Sequence, residues 1–491
     1  MKSEKQSAAY CSSTLKAVSS GATLLYLLLI GLFLSYPMAA QTATELRRQA
    51  LRFLLEARET AREMKDEEKK ASSTLANIAS GLVLAGDLTA GLETLALFPE
   101  QSQRDIAKLP IAWVLANARN WPGALRLVNS IRDPQSRASA LLHAAGALIQ
   151  RKDFDAALSI LPQLDDNPWN RLEFVLRLAR AQAEAADLKG ALEALREGSR
   201  FASEIASRGE LEPQKGGELA SRVLLLQREQ MRLGDAAGAA DSAALVDMLI
   251  ERGKELDQNS GWRNHLAGAY SEIGEFESAI ELASALPQNN ERDTAFSLIA
   301  QRQAQRNNRA GALETLQLIR DDAAREWALI NIATALAEKG DAVRTMEMAA
   351  RIQNSEQRGY AFVLSAWLLA LRDQHASALL ALERAHEASP ETYSDSAVSK
   401  NIDLYAQTLA LAGNPKGGWR VAQSAKDEGE RAEAVGRVAH VHACNEGWQA
   451  PYAMALRESS PHVRAEALLG IGRGLLDRAD AIEKDEAAKA Q

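Results

Sequence analysis

The stretch that decides the fold runs from Ala300 to Leu316 and reads AQRQAQRNNRAGALETL. Ala300 and Ala312 stand twelve residues apart, with a polar turn between them. A second copy, ATALAEKGDAVRTMEMA, begins 33 residues later at Ala333 and carries the small residue Thr345 at the second position. A fixed period of this length is typical of a repeat protein, so the same two positions should recur along the chain.

Two columns of small residues extend in both directions from this stretch. The first column comprises Ala79, Ala112, Ala145, Ala179, Gln227, Ala267, Ala300, Ala333, Ala366, Ala406 and Ala439, and its next step is Gly472. The second comprises Gly91, Ala124, Ala157, Ala191, Ala239, Ala279, Ala312, Thr345, Ala378, Gly418 and Pro451. Seven of the ten successive spacings are 33 or 34 residues, and three are longer. Small residues at paired positions let two helices approach closely.

Apolar residues surround the first column at helical spacing. Leu329, Ile332 and Leu336 follow the i, i+3, i+7 pattern of a helix that buries one face. Aromatic residues make up only 5% of the chain, which disfavours a β-rich fold. Each repeat is therefore predicted to be a helix, a short polar turn and a second helix, in an all-α solenoid.

The repeats resemble those of the tetratricopeptide (TPR) family over about residues 70–485. The matching features are the paired small residues, such as Ala267 with Ala279, and the turn phrases Gly86-Asp87 and Gly340-Asp341. The resemblance, to exported bacterial members, implies an α-α superhelix, a right-handed solenoid of about eleven to twelve hairpins. The period of 33 and the missing aromatic and closing proline depart from the family. Ankyrin repeats share this period, but their Thr-Pro-Leu-His signature is absent. Other α-solenoid types remain an alternative.

The N-terminal segment has the pattern of an export signal. Three lysines precede an uncharged stretch from Ala22 to Ala40, which contains Pro37 and ends in small residues. This predicts a signal peptide at 1–40 and an exported, periplasmic or secreted chain. The alternative is an uncleaved inner-membrane anchor, which would be the chain's one membrane contact.

The remaining chain divides by composition and repeat spacing. Residues 41–69 are predicted to form a charged N-terminal capping helix, 70–485 the solenoid and 486–491 a polar tail. The longer spacings predict insertions near 196–217, 240–258 and 385–399. Such insertions normally project from one edge of a solenoid and often serve binding.

A third column consists of arginines eight residues before the first column. It comprises Arg104, Arg137, Arg171, Arg292, Arg325, Arg358, Arg431 and Arg464. Each guanidinium is predicted to bond carbonyl or carboxylate oxygens at the end of the preceding hairpin. The alternative is an arginine ladder that grips an acidic ligand.

The sequence predicts no catalytic, cofactor or metal site. No phosphate-binding glycine loop, HExxH helix or GxSxG elbow occurs. His440 and Cys444 share a helix face at a spacing that can hold a metal, but no third ligand lies nearby in the sequence. The net charge of −8 disfavours nucleic-acid binding, because phosphate neutralisation needs clustered basic residues.

The predicted ligand surface is the concave side of the solenoid. The residue after each member of the first column varies too much for a core position and should lie near that surface. Trp113, Arg180, Arg228 and Trp367 occupy this register, and Trp and Arg often contribute most of the binding energy at interfaces. Core or capping roles are the alternative for each of them.

These features predict an exported, non-enzymatic scaffold that binds a peptide or protein partner through its concave face. One alternative is a secreted helical-toroid enzyme acting on polysaccharide, which would need a carboxylate pair and more aromatic residues. Twelve hairpins also exceed a closed ring of six. The other alternative is a membrane-anchored organiser of an envelope complex. Neither the partner's identity nor the oligomeric state follows from the sequence.

Overall fold

The computed structural model describes residues 42–64, 73–164, 168–207, 213–255, 261–287, 290–390, 392 and 401–490. The predicted signal peptide and parts of the three predicted insertions lie outside these ranges. Within them every regular element is helical. None of the described helices is both long enough and apolar enough to cross a membrane.

The helices alternate as the first and second members of successive hairpins. The first helices are α2 (Thr74–Leu84), α4 (Gln101–Asn117), α6 (Pro134–Gln150), α8 (Pro168–Glu184), α10 (Pro213–Arg232), α12 (Gly261–Ile273), α14 (Asn290–Gln305), α16 (Asp322–Glu338), α18 (Ser355–Ala370), α20 (Ile402–Leu411), α22 (Glu428–Asn445) and α24 (Pro461–Ala490). The second helices are α3 (Leu88–Thr94), α5 (Trp121–Asn129), α7 (Phe154–Leu158), α9 (Leu188–Ser207), α11 (Ala236–Glu255), α13 (Phe276–Ser284), α15 (Arg309–Gln317), α17 (Ala342–Ala350), α19 (His375–Ala388), α21 (Pro415–Gln423) and α23 (Gln449–Ala455). One further helix, α1 (Ala43–Arg62), precedes the first hairpin.

This arrangement confirms the predicted all-α solenoid. Each first helix packs against its own second helix, and most also pack directly against the first helix of the next hairpin. Short 3₁₀ turns at Leu95–Leu97 and Leu161–Gln163 follow α3 and α7. Helices α9 and α11, in the regions of the first two predicted insertions, have 20 residues each.

The turn between α16 and α17 has a simple chemical cause. Gly340 adopts a φ of 77°, the left-handed region that glycine enters at little cost, and so the chain leaves α16. The Asp341 side chain then accepts a hydrogen bond from the Arg344 backbone N–H and caps α17. These two steps reverse the chain within about one helical turn.

The two small columns face each other as predicted. A Cβ added at Gly91 would lie 2.8 Å from the Ala79 carbonyl oxygen, and one at Gly418 would lie 2.5 Å from that of Ala406. Both pairs are twelve residues apart in the sequence. The second helix therefore approaches the backbone of the first closely at this position, and a bulky residue there would push the hairpin open.

Five of the eight arginines in the column have the predicted structural role. Arg325 Nη2 donates to the Ile319 carbonyl oxygen at 2.6 Å, and Arg358 Nη1 donates to that of Ile352 at 2.7 Å. Equivalent bonds are made by Arg137, Arg171 and Arg431. Each satisfies a carbonyl where the chain leaves one hairpin for the next.

The two ends of the described chain meet. Gly472 of α24 is the twelfth step of the first column, and a Cβ there would lie 2.7 Å from Leu54 Cγ and 3.4 Å from the Ala50 carbonyl oxygen of α1. Arg47 Nη2 of α1 also bonds Glu483 Oε2 of α24 at 3.0 Å. Helix α1 therefore occupies the place of the second helix in a twelfth hairpin.

The neighbours of α1 complete this arrangement. Glu56 accepts a hydrogen bond at 3.1 Å from the Tyr452 hydroxyl of α23, and Arg58 bonds Glu93 of α3 at 3.2 Å. The first and eleventh second helices thus flank α1. The segment predicted as a terminal cap instead joins both ends, because its apolar stripe covers a face that α24 would otherwise leave exposed. The described helices form a closed ring of twelve hairpins.

Glycines on α24 allow its close approach to α22. A Cβ at Gly470 would lie 2.1 Å from the Gly436 carbonyl oxygen, and one at Gly474 would lie 2.3 Å from that of His440. Both distances are too short for any side chain, so the two helix backbones are in direct contact.

Gly470→Ala should lower the free energy of unfolding by about 1–3 kcal/mol, because the added methyl group forces α22 and α24 apart. Gly146→Ala, on the open side of α6, meets no atom within 4 Å. It should raise stability by about 0.5–1 kcal/mol through helix propensity. Chemical denaturation of both variants measures the difference, and equal stabilities would contradict the direct contact.

Candidate functional site

The first helices lie on the inside of the ring. Consecutive first helices contact one another around it, and α8 and α10 are linked through Arg222 Nε and Glu173 Oε2 at 3.4 Å. Among the described second helices, only α9 and α11 contact each other over more than one or two residues. Because the first helices pack more closely on one another than the second helices do, they form the layer of smaller circumference, which is the inner one. We call its free surface the inner face.

One cavity opens on the inner face where the ring closes. Its volume is about 810 Å³, and α2, α20, α22 and α24 contribute to its walls. We call it the closure pocket and define it by Thr74, Asn77, Glu433, His440, Glu466 and Arg473. Its walls come from both ends of the chain.

Glu466 is the carboxyl group most affected by this environment. Its Oε1 accepts a hydrogen bond from Thr74 Oγ1 at 2.6 Å. Burial raises the pKa of Glu466, and the charge of Glu433 adds to this effect. The Thr74 hydrogen bond and the charge of Arg473 oppose it, but the pKa stays above its ordinary value.

Basic groups stand beside these carboxylates. Arg473 Nη2 donates to Asn77 Oδ1 at 3.0 Å, and burial lowers the pKa of its guanidinium despite the attraction of Glu466. His440 Nε2 lies 2.8 Å from Asp477 Oδ2. The pocket therefore holds fixed groups of both charge signs.

A second, smaller cleft lies on the opposite part of the repeat series. It has a volume of about 300 Å³ and includes Arg180, Arg228, Arg306 and Glu272, a set we call the arginine cleft. Arg306 Nη2 donates to the Glu272 carbonyl oxygen at 2.6 Å and Arg228 Nη1 donates to it at 3.4 Å. Arg180 Nη2 lies 3.7 Å from Glu272 Oε1, and its side chain is 52% exposed.

The four predicted partner-binding residues separate into two groups. Arg180 and Arg228 come together in the arginine cleft. Trp113 on α4 is half-buried and packs against the core. Trp367 on α18 is also half-buried, and its indole N–H is buried without a hydrogen bond in the described structure. Neither tryptophan lines the two cavities described above.

The sequence prediction missed Glu466 and Arg473. Arg473 could have been found from the sequence, because it directly follows Gly472 of the first column and so occupies the same repeat position as Arg180 and Arg228. Glu466 needed the three-dimensional structure, since its partner Thr74 is 392 residues away.

His440 and Cys444 do not gather further metal ligands. Among the described residues no group of three or more His, Cys, Asp and Glu side chains is placed to hold a metal ion. Burial raises the pKa of the Cys444 thiol, and the charge of Asp477 acts in the same direction.

Comparisons with known proteins give little similarity. No family model and no curated protein matches the chain. Similar solved structures include Ton1535 from Thermococcus onnurineus NA1, with 15% identity, a TM-score of 0.22 and coverage of 70% of this chain and 99% of that one. Another is a circular tandem repeat protein with novel repeat topology and enhanced subunit contact surfaces, with 15% identity, a TM-score of 0.17 and coverage of 91% and 99%. TM-scores this low support no argument about fold or function.

Glu466→Gln should become increasingly stable relative to wild type as the pH rises. The wild-type carboxyl has a raised pKa, so its contribution to stability is complete at acid pH. That contribution is lost as the pH rises through the pKa of the folded state, whereas glutamine does not titrate.

Glu483→Gln provides a control with the opposite sign. A hydrogen bond from Arg47 lowers the pKa of Glu483 against the smaller effect of burial. Its stabilising contribution is present at higher pH and lost on acidification. The free energy of unfolding of this variant should therefore fall further below that of wild type as the pH rises. Denaturation curves across the acid-to-neutral range measure the free energy of unfolding of both variants. If both variants changed in the same direction relative to wild type, the opposite pKa shifts assigned to Glu466 and Glu483 would be contradicted.

Proposed function

We propose that this chain is an exported, non-enzymatic scaffold that binds a peptide or protein partner on the inner face of a TPR-like helical ring. The observation that carries the proposal is the register directly after the first small column. It varies from repeat to repeat, while the first column is alanine at ten of its first eleven positions. Arg180 and Arg228 in this register line the arginine cleft, and His440 and Arg473 line the closure pocket. A varied position on an accessible cleft suits recognition more than packing.

The TPR-like assignment rests on the hairpin pattern. Most hairpins pair small residues twelve positions apart across a short turn, as in Ala406 with Gly418. Assignment to an exported class rests on the uncharged stretch from Ala22 to Ala40. N-terminal sequencing of the protein from cells separates a cleaved signal from a retained anchor.

The arginine cleft favours an acidic segment in the partner. Arg228 and Arg306 donate to the Glu272 backbone carbonyl oxygen, and Arg180 faces the Glu272 carboxylate. Each planar guanidinium has further N–H donors. Carboxylates accept such donors in pairs, and these charge-assisted bonds are among the strongest in proteins. The adjacent Glu272 keeps the arginines ordered before a partner arrives.

Reversing the charge of Arg180 and Arg228 together, to glutamate, should weaken partner binding by about tenfold or more. The measurement is affinity capture with crosslinking from the envelope and secreted fractions, followed by titration of the recovered partner. The matched control reverses the exposed Arg126 and Arg351, which lie outside both clefts, and should leave capture unchanged.

Unchanged capture by the Arg180 and Arg228 double variant, with an unchanged melting temperature, would rule out this placement of the partner. If no partner is captured and the purified protein cleaves a glycan, the polysaccharide-acting alternative replaces the scaffold. Glu433 and Glu466 in the closure pocket would then be the carboxylates to replace first.

A further inference from the structure

We propose that a cleft between α11 and α12 binds a small organic ammonium ion that carries an apolar group. The ammonium group lies at Asp247 and Glu275, and the apolar group covers Leu224, Met231 and Val246. The ligand is a small molecule and both carboxylates lie outside the arginine cleft. The proposal therefore does not depend on the partner proposed above.

The fifth hairpin leaves a gap between its second helix and the next hairpin. Most second helices pack on the first helix that follows them, as α13 does on α14. Helices α11 and α12 contact each other over no more than one or two residues, although both pack on α10. The gap has a volume of about 650 Å³, within the range of small-molecule sites. We call it the hairpin cleft and define it by Leu224, Met231, Val246, Asp247, Tyr270 and Glu275.

The first column of small residues is interrupted at this cleft. Gln227 of α10 is the one member among the first eleven that is not alanine. The ten alanines are buried, whereas Gln227 is partly exposed and lines the hairpin cleft. A side chain of this length does not fit the close helix approach that alanine allows.

The turn before α13 also departs from the repeat pattern. Eight second helices begin with an Asp or Asn side chain that accepts a hydrogen bond from the backbone of the first turn, namely Asp87, Asn120, Asp153, Asp187, Asp235, Asn308, Asp341 and Asn414. Glu275 occupies this position before α13, and its side chain makes no such bond. Its carboxylate lines the hairpin cleft instead. Local rules of a fold are broken most often at functional sites.

Asp247 and Glu275 make one part of the cleft electronegative. Neither carboxylate has an ion pair or a hydrogen bond within the described parts of the chain. Burial and the charges of these two residues raise the pKa of the Tyr270 hydroxyl, and no described basic group opposes them. A cation is the group that this part of the cleft would stabilise.

Two arginines also line the cleft, and other groups hold both of them. Arg232 Nε donates to Glu229 Oε2 at 2.7 Å, and Arg228 Nη1 donates to the Glu272 carbonyl oxygen at 3.4 Å. Neither guanidinium forms an ion pair with Asp247 or Glu275 in the described structure. The two carboxylates therefore remain able to take a cation from solution.

The remaining wall suits the apolar part of the ligand. Leu224 and Val246 are buried, and Met231 is 64% exposed. The unbranched, flexible side chain of methionine adapts to the shape of what it contacts. Covering it removes apolar surface from water, which supplies affinity, while the carboxylates select the charge of the ligand.

The test is ligand-observed NMR titration of the full-length protein with hexylamine, hexanol and hexanoate, which share an apolar chain and differ in charge. Hexylamine should bind most tightly. Hexanol should bind about threefold to tenfold more weakly and hexanoate more weakly still, because exposed ion pairs contribute modestly. Added salt should weaken the binding of hexylamine and leave that of hexanol unchanged.

Variants separate the charged wall from the apolar one. Asp247→Asn combined with Glu275→Gln should reduce hexylamine binding to the level of hexanol, without changing hexanol. Ala243→Phe fills the cleft and should weaken both compounds by about tenfold or more.

Two controls keep the site distinct. Ala244→Phe places the same ring at the neighbouring exposed position, outside the cleft, and should bind both compounds as wild type does. Arg180→Gln changes the arginine cleft alone and should also leave hexylamine binding unchanged. Failure of this site and failure of the partner site are therefore measured separately.

Four results would overturn the proposal. The first is absence of hexylamine binding at millimolar concentration in protein that melts normally. The second is binding of hexanoate as tight as that of hexylamine, since the arginines would then select the ligand. The third is unchanged hexylamine binding by Ala243→Phe protein with the wild-type melting temperature. The fourth is tighter binding of Nα-acetyl-lysine amide than of hexylamine, which would assign the cleft to a lysine of a peptide.

Discussion

The packing of α1 against α24 is the contact on which the rest of this structure depends. A solenoid gains its stability from interfaces between neighbouring repeats, and each end normally leaves one face uncovered. Here the apolar stripe of α1, with Leu46, Phe53 and Leu54 fully buried, covers the final first helix. A hairpin assembled from the two ends of the chain thus turns an array of local interfaces into a closed ring.

Closure also creates the closure pocket. Thr74 and Glu466 are 392 residues apart in sequence, yet their side chains share a hydrogen bond in the wall of the closure pocket. The same geometry needs glycine at 470 and 474, because α24 contacts α22 on one side and α1 on the other. Architecture and candidate chemistry are therefore linked through one helix, and a change in its packing should affect both.

Local features of the fold were predictable from the sequence, whereas the closure was not. The small columns predict where Ala79 meets Gly91, and the arginine column predicts the Arg358 carbonyl bond, because both are set within one or two repeats. The pairing of α1 with α24 depends on the rotation accumulated over eleven hairpins, which no single repeat specifies. Arg180 and Arg228 could be placed by register alone, but Glu466 acquires its environment only when the ends meet.

The most direct test of closure is the distance between the two ends, measured by double electron–electron resonance between two spin labels. The labels are attached at Arg48→Cys and Lys484→Cys, with both native cysteines replaced by serine. Both positions are exposed on neighbouring helices of the ring. A closed ring predicts a narrow distribution below about 30 Å, since adjacent helices are about 10 Å apart. An open array of twelve hairpins would separate its ends by on the order of 100 Å. A distribution centred beyond about 50 Å would contradict the ring.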